Sequence, residues 1–192
     1  MKTPPGANPP TTEQLYPDAT FTDVWREQVG DEWIRAKYYG QAHTSGDAVI
    51  YFPELKVIHT GDLFLASRAG GRGGAPARER PAGVPVYIDY VQGGSFLDWS
   101  RTMDEMLTLD FDTVIPGHGP VSTRADIVKF RSDLETMRNR LAGLIKQGSS
   151  RAEIVKTLED DYGWRATGCP PSPPTAGCLQ YQQVDALIAE LR

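Results

Sequence analysis

The sequence predicts an α/β chain of the α+β type, in which most of the strands precede the helices. Short runs rich in β-branched and aromatic residues fill residues 20–60 and recur at 113–116, and stretches with helical apolar periodicity follow. The length of 192 residues suits one ordinary domain and is short for two. Hydrophobic residues make up 40% and charged residues 23%, both near globular averages, which argues against wholesale disorder and against a fibrous protein.

The strand predictions rest on β-rich runs separated by turn residues. Gly30 and Asp31 separate the first two runs as a hairpin turn would, and residues 53–55 separate the next two. The last run ends on Gly117 and is expected to be short and buried. The strands are expected at 20–29, 32–39, 48–52, 56–60 and 113–116.

The helices are indicated by capping residues that stand just before apolar stripes. A Ser or Thr followed three residues later by Asp or Glu is typical of a helix N-terminus. Gly148 stands where the longest helix is expected to end, and a last helix is expected from about Tyr181. The capping pairs are Ser95 with Asp98, Thr123 with Asp126, and Ser150 with Glu153.

The charge balance argues against a nucleic-acid partner. Lys and Arg number 20 against 25 Asp and Glu, a net charge of −5, so the chain lacks the bulk positive charge of such proteins. No apolar run approaches the ~20 residues of a membrane span, and Met1 opens a Pro- and Gly-rich stretch instead of a signal peptide. We therefore expect a soluble protein, cytoplasmic as written, with no nucleic-acid or membrane partner, although a full-length relative could be exported.

Three short segments place a metal-competent side chain at or near the end of a predicted strand. They contain His43 in GQAHTSGD, Asp62 in TGD and His118 in PGHGP. Neutral imidazole and carboxylate are the usual zinc ligands, and neighbouring glycines let the backbone approach a small ion. Each segment alone is a weak signal, and their order along the chain is what makes them informative.

In this order the segments resemble the metal motifs of the metallo-β-lactamase superfamily of metal-dependent hydrolases. AHTSGDAVIYFPELKVIHTGDLF looks like the third and fourth motifs with the strand pair between them, and VIPGHGPV looks like the fifth. The stretch from Tyr87 to Asp89, followed by Gly93, Gly94 and a helix, is similar to the segment that joins motifs four and five. The resemblance covers roughly residues 20–147.

The resemblance implies an αββα sandwich of two similar halves, of which this chain corresponds mainly to the second, a mixed sheet with helices on one face. Residues 1–18 would then be a Pro-rich tail or linker, and residues 19–148 a C-terminal half-domain of the metallo-β-lactamase type. Residues 149–192 would form a C-terminal helical extension. Half of a sandwich leaves one sheet face that another half, or a second copy, should cover.

The resemblance also implies a zinc site with two ions when complete, at which iron or manganese are alternatives. His43 would ligate the first ion, Asp62 would bridge the two, and His118 would ligate the second, which makes Asp62 and His118 the catalytic candidates. The implied reaction is attack by a metal-bound hydroxide on an ester, lactone, thioester or amide-type bond of a small-molecule substrate.

The chain departs from the family pattern in lacking the N-terminal H-x-H-x-D-H run. His59 is the remaining histidine, and its strand position favours a packed, hydrogen-bonded core or sheet residue over a ligand. Each ion would keep two protein ligands where catalytic zinc normally has three, so we expect weak metal binding and little or no activity from this chain alone. The alternatives are a site in which His43, Asp62 and His118 all face one ion, and a degenerate, non-catalytic module that self-associates or pairs with another chain.

Supporting roles are assigned to residues near these motifs. Asp47 would orient a metal ligand or form a turn, and Thr44 would bond to a ligand side chain or to strand neighbours. Asp89 and Gly94 are further candidates, either for supporting a metal ligand or for contact on the substrate side. Gly117 and Gly119 are expected to serve the backbone conformation around His118.

Two further features each allow two interpretations. The Arg- and Gly-rich stretch at 67–83 is either a basic lid over an anionic substrate or a surface insertion. Cys169 and Cys178 flank a Pro-rich loop, and they either form a disulfide or remain two free thiols.

Overall fold

The computed structural model describes residues 19–66, 86–162 and 183–192. The tail at 1–18, the stretch at 67–83, both cysteines and Tyr181 lie outside these residues. In chain order the elements are β1 (Val24–Val29), β2 (Glu32–Tyr38), β3 (Ala48–Phe52), β4 (Val57–Leu65), α1 (Phe96–Met106), β5 (Thr113–His118), β6 (Ser122–Thr123), α2 (Arg124–Lys146), α3 (Arg151–Tyr162) and α4 (Val184–Glu190).

The strands form one mixed sheet in the order β1-β2-β3-β4-β5-β6. Neighbouring strands are antiparallel except for β4 and β5, which are parallel. The predicted α/β class with a mixed sheet is therefore confirmed. Strand β4 extends past the predicted end at residue 60 to Leu65, through a register shift at Gly61, and the two-residue strand β6 was not predicted.

The capping residues begin the helices where the sequence places them. Thr123 and Asp126 form a capping box ahead of α2, and the Ser95 side chain accepts a hydrogen bond from the Asp98 backbone N–H ahead of α1. Gly148 follows the end of α2 in the left-handed conformation, with φ of 80°. In the described parts of the chain, none of the helices is long and apolar enough to cross a lipid bilayer.

The helices of the described residues share one buried cluster with one face of the sheet. Alternate strand residues such as Val49, Ile58 and Val114 lie in one buried cluster with apolar residues of α1 and α2. The Trp99 indole lies in this cluster and donates a hydrogen bond to the Leu63 carbonyl at 3.0 Å. Helices α3 and α4 contribute to the same cluster through Ile154, Leu158, Val184, Leu187 and Ile188.

The opposite face of the sheet is apolar and lies outside this cluster. Strand register places Ile50, His59 and Ile115 side by side, and Phe52 pairs with Val57 in the neighbouring row. None of these five belongs to the buried cluster or to the hydrophobic residues packed against it, and Ile115 is 37% exposed. We call these five residues the outer sheet face.

Candidate metal centre

The fold brings the three predicted metal-ligating side chains together. His43 Nε2 lies 3.6 Å from Asp62 Oδ2, and His118 Nε2 lies 3.4 Å from Asp62 Oδ1. Asp62 and His118 meet because β4 and β5 are parallel neighbours, with Leu65 paired to His118. His43 lies in the loop between β2 and β3, residues 39–47, called the His43 loop below. The two imidazoles therefore approach different oxygens of one carboxylate.

These separations suit metal ions placed between the donors. Two ligands bound to zinc at about 2.0–2.2 Å with a tetrahedral angle lie about 3.4 Å apart. Both imidazole-to-carboxylate distances, 3.6 Å for His43 and 3.4 Å for His118, are near that value. Neutral imidazole with carboxylate is also a donor set that zinc accepts. The residues present therefore fit half of a two-ion site in which Asp62 is shared.

The geometry does not favour the single-ion alternative. In residues 19–66, 86–162 and 183–192 no group of three His, Cys, Asp or Glu side chains is arranged to hold one ion. His43 and His118 face opposite oxygens of Asp62, which gives two donor pairs with a common member.

The His43 ring is oriented by a backbone carbonyl. Its Nδ1 lies 2.8 Å from the Tyr87 carbonyl oxygen, which can only accept a hydrogen bond, so Nδ1 carries the proton. In the neutral ring Nε2 is then left with a lone pair on the side of Asp62. The Tyr87 ring also lies against the imidazole, with centroids 5.2 Å apart. This is the arrangement that metal-ligating histidines usually have.

Exposure rises steadily across the site. The His43 side chain is 13% exposed, that of Asp62 33% and that of His118 75%. The His43 side is therefore enclosed by this chain, and the His118 side is open to solvent.

The glycines on either side of His118 serve different purposes. A Cβ on Gly117 would lie 2.1 Å from Asp62 Oδ1, so the absence of a side chain there lets the carboxylate take its position. Gly119 has φ of 108°, and a Cβ on it would lie 2.2 Å from the Ala66 carbonyl oxygen. The expected conformational role holds for Gly119, whereas Gly117 is required for its close approach to Asp62.

Asp47 and Thr44 form the turn of the His43 loop. The Thr44 backbone N–H and hydroxyl donate to the two carboxylate oxygens of Asp47 at 2.8 and 2.9 Å. These hydrogen bonds support a role for Asp47 as a turn former and not as a group that orients a metal ligand. Both residues act next to His43 by holding the loop backbone.

Asp89 and Gly94 contact the backbone of His43. The Asp89 N–H donates to the His43 carbonyl at 2.9 Å, and the Asp89 carboxylate caps the 3₁₀ turn that follows by accepting from the Gln92 N–H. A Cβ on Gly94 would lie 2.3 Å from the same His43 carbonyl oxygen. Both residues thus support His43 from behind the site.

The third histidine is held apart from the trio. His59 lies on the outer sheet face, and its Nδ1 accepts a hydrogen bond from the Gly61 N–H at 3.1 Å. The expected hydrogen bonding is present, and the ring is exposed because the outer sheet face lies away from the helices.

Sequence reasoning missed two contributors behind His43. The role of the Tyr87 carbonyl could not be predicted from the sequence, because every residue type has the same backbone oxygen. The Glu190 carboxylate binds the segment that contains Tyr87 and Asp89 across 95 to 100 residues of sequence, which no local pattern reveals.

A family model described as the metallo-beta-lactamase superfamily matches residues 3–118 of this chain. Among solved structures, the chain is similar to a metallo-beta-lactamase from Pontibacter korlensis with 19% identity and a TM-score of 0.48, covering 65% of this chain and 51% of that one. It is also similar to the DIM-1 metallo-beta-lactamase, with 24% identity and a TM-score of 0.41, covering 58% of this chain and 45% of that one.

The chain spans about half the length of the solved structures it matches. No curated protein matches it. The family model alone covers more than half of the 192 residues. The chain therefore belongs to the metallo-beta-lactamase superfamily.

Proposed function

We propose that this chain is the metal-holding C-terminal half of a metal-dependent hydrolase. The observation that carries the proposal is the Asp62 carboxylate, each oxygen of which faces a different histidine at 3.4–3.6 Å. Zinc is the metal that this donor set suits, with iron or manganese as alternatives. The proposed substrate is a small molecule with an ester, lactone, thioester or amide-type bond.

The chain's own residues have separate tasks in this proposal. Bound divalent metal ions would supply Lewis-acid polarisation of the scissile carbonyl and activation of water. Asp62 would hold the metal ions together with His43 and His118, which lie on either side of its carboxylate. The hydrogen bond from His43 Nδ1 to the Tyr87 carbonyl fixes the ring that lies deepest. The exposed His118 marks the side from which a substrate approaches.

The proposed active site needs donors from outside the described residues. From this chain each ion would have one histidine and a share of the Asp62 carboxylate, whereas catalytic zinc usually has three protein ligands. The 75% exposure of the His118 side chain leaves space there for further groups. We therefore assign the remaining ligands to a complementing N-terminal half and expect the isolated chain to be weakly active or inactive.

Zinc titration of the full 192-residue chain tests the proposal. We expect two weakly bound equivalents, one of which is lost in His43→Ala and the other in His118→Ala. His59→Ala is the matched control, because His59 bonds to the Gly61 N–H and stays outside the trio. Equal losses in all three variants, or binding that is indifferent to both His43 and His118, would overturn the assignment.

The outer sheet face favours a second candidate function, a non-catalytic module that pairs with a second copy of itself. Its five residues carry no formally charged side chain apart from the titratable His59. Two such faces can therefore meet around a two-fold axis without strong like-charge repulsion, although each chain carries a net charge of −5.

Sedimentation velocity across a range of concentrations tests this pairing. We expect a dimer that Ile115→Glu converts to a monomer, because burying an unpaired carboxylate costs several kcal/mol. Leu55→Glu, at a turn residue that is 60% exposed, should leave the dimer intact. A wild-type chain that is monomeric throughout would exclude the second copy and leave the face to a complementing half.

A further inference from the structure

We propose that helix α4 is a positioning element for the metal centre. The Glu190 carboxylate, at the end of α4, fixes the segment at 87–97, and that segment in turn fixes His43. The metal-affinity part of this inference rests on the proposed function, whereas the effect on the His43 ring does not.

Glu190 is bound by donors at the start of α1. The hydroxyls of Ser95 and Tyr90 donate to its two oxygens at 2.6 and 2.7 Å. The backbone N–H groups of Phe96 and Leu97 donate at 3.1 and 3.2 Å. A carboxylate at this place satisfies N–H groups that have no partner within the helix, and it suits the positive end of the helix dipole. Four charge-assisted hydrogen bonds hold the segment to α4.

The environment of Tyr90 keeps its hydroxyl a donor. Burial, and then the hydrogen bond to Glu190, raise the pKa of Tyr90 well above its usual range. The Tyr90 hydroxyl therefore keeps its proton and can donate it to the Glu190 carboxylate.

The beginning of α4 reaches the same segment near His43. The Gln183 side chain, at the N-cap of α4, lies near the Tyr87 hydroxyl and opposes the rise in its pKa that burial causes. The Tyr87 ring lies beside the His43 imidazole, and the Tyr87 carbonyl accepts the hydrogen bond from His43 Nδ1. Helix α4 thus contacts the segment at both ends, through Gln183 and through Glu190.

The segment is bonded to the His43 loop along its length. The Asp89 N–H donates to the His43 carbonyl at 2.9 Å, and the Ser95 N–H donates to the Ala42 carbonyl at 2.9 Å. The Ser45 N–H donates to the Gln92 carbonyl at 3.0 Å. Both the imidazole and the backbone of His43 therefore depend on the position of this segment. A shift of the segment moves Nε2 relative to Asp62.

The test is Glu190→Gln in the full chain, with Asp185→Asn as a matched control on the same helix. The amide introduced by Glu190→Gln would turn an NH₂ group toward donors that now meet a carboxylate oxygen, so contacts to the segment are lost while the side-chain size is kept. Asp185 instead pairs with Arg151 of α3, so its variant makes the same charge change elsewhere.

The readout is the imidazole NMR signals of the metal-free chain, which has only three histidines to assign. In Glu190→Gln we expect the His43 signals to shift and its Nδ1 proton to exchange with solvent about tenfold faster, while the His59 signals stay unchanged. Zinc affinity should fall about tenfold, the lower end of the effect of losing a group that orients a metal ligand. Asp185→Asn should leave all of these unchanged.

Unchanged His43 signals in a folded Glu190→Gln protein would overturn the inference, since α4 would then act through core packing alone. If that variant does not fold, Glu190→Asp retains the charge on a shorter side chain, and its His43 signals must lie between those of the wild type and of unrestrained imidazole. If the wild type does not bind zinc but the His43 signals still shift in Glu190→Gln, the proposed function is wrong and the positioning role of α4 is retained.

Discussion

Replacing Asp62 by alanine is expected to remove both zinc equivalents, a larger effect than either histidine variant has. Its two oxygens lie 3.4 Å from His118 and 3.6 Å from His43, so the carboxylate is the donor that the two proposed ions share. Without it each ion keeps a single imidazole from this chain, too few for zinc to remain bound. Zinc titration measures the loss, and circular dichroism shows whether the fold is retained.

Two further variants distinguish the loss of the shared Asp62 carboxylate from the loss of one negative charge. Asp62→Asn keeps one carbonyl oxygen and should hold at most one equivalent, because the amide NH₂ group cannot act as a ligand. Asp133→Asn makes the same charge change on α2, where Asp133 pairs with Lys129, and should bind zinc as the wild type does. Retention of both equivalents in Asp62→Ala would show that the ions are not bridged by this residue.

The regular elements could be predicted because their signals are local. Strand β3 has the predicted bounds, and α2 begins after the predicted capping pair Thr123 and Asp126. Each depends on residues within a few positions, which is the range over which caps and turns act. The extension of β4 to Leu65 could not be predicted from neighbouring residues, because it depends on parallel pairing with β5 across a register shift at Gly61.

The trio at the centre could be proposed from order along the chain, but its geometry could not. Nothing in the sequence shows that His43 and His118 take opposite oxygens of Asp62. Only their hydrogen-bond partners in the structure assign Asp47 to the turn of the His43 loop and Asp89 to the cap of the 3₁₀ turn. Assignment of the three residues as metal ligands remains a prediction, as does the division of the chain at residues 18 and 148.

The C-terminal helices illustrate a limit of sequence reasoning. Their apolar stripes predict burial, and Leu187 is buried in the common core. The Glu190 carboxylate, in contrast, is a charged residue on a short helix, for which solvent exposure is the usual expectation. Its partners Tyr90 and Ser95 lie about 100 residues earlier, so only the tertiary structure reveals the connection.

Replacing Gly117 by alanine is expected to lower the free energy of unfolding by about 1–3 kcal/mol and to remove the zinc equivalent on the His118 side. The added Cβ would lie 2.1 Å from Asp62 Oδ1 and 2.6 Å from the Gly61 carbonyl carbon, distances that real carbon atoms do not reach. One of these contacts is backbone, so β4 and β5 must separate there, and the shared carboxylate must leave the His118 ring. Urea unfolding and zinc titration measure the two effects.

Gly143→Ala in α2 is the matched control, since nothing lies within 4 Å of the Cβ it would add. Removing a glycine from a helix interior should raise the free energy of unfolding by about 0.5–1 kcal/mol, with zinc binding unchanged. The two glycine variants are expected to change the free energy of unfolding in opposite directions. Their comparison therefore distinguishes a steric clash at the metal centre from a general effect of replacing glycine by alanine. A Gly117→Ala protein as stable as the wild type, with both zinc equivalents bound, would show that the close approach of β5 to Asp62 is not required for the site.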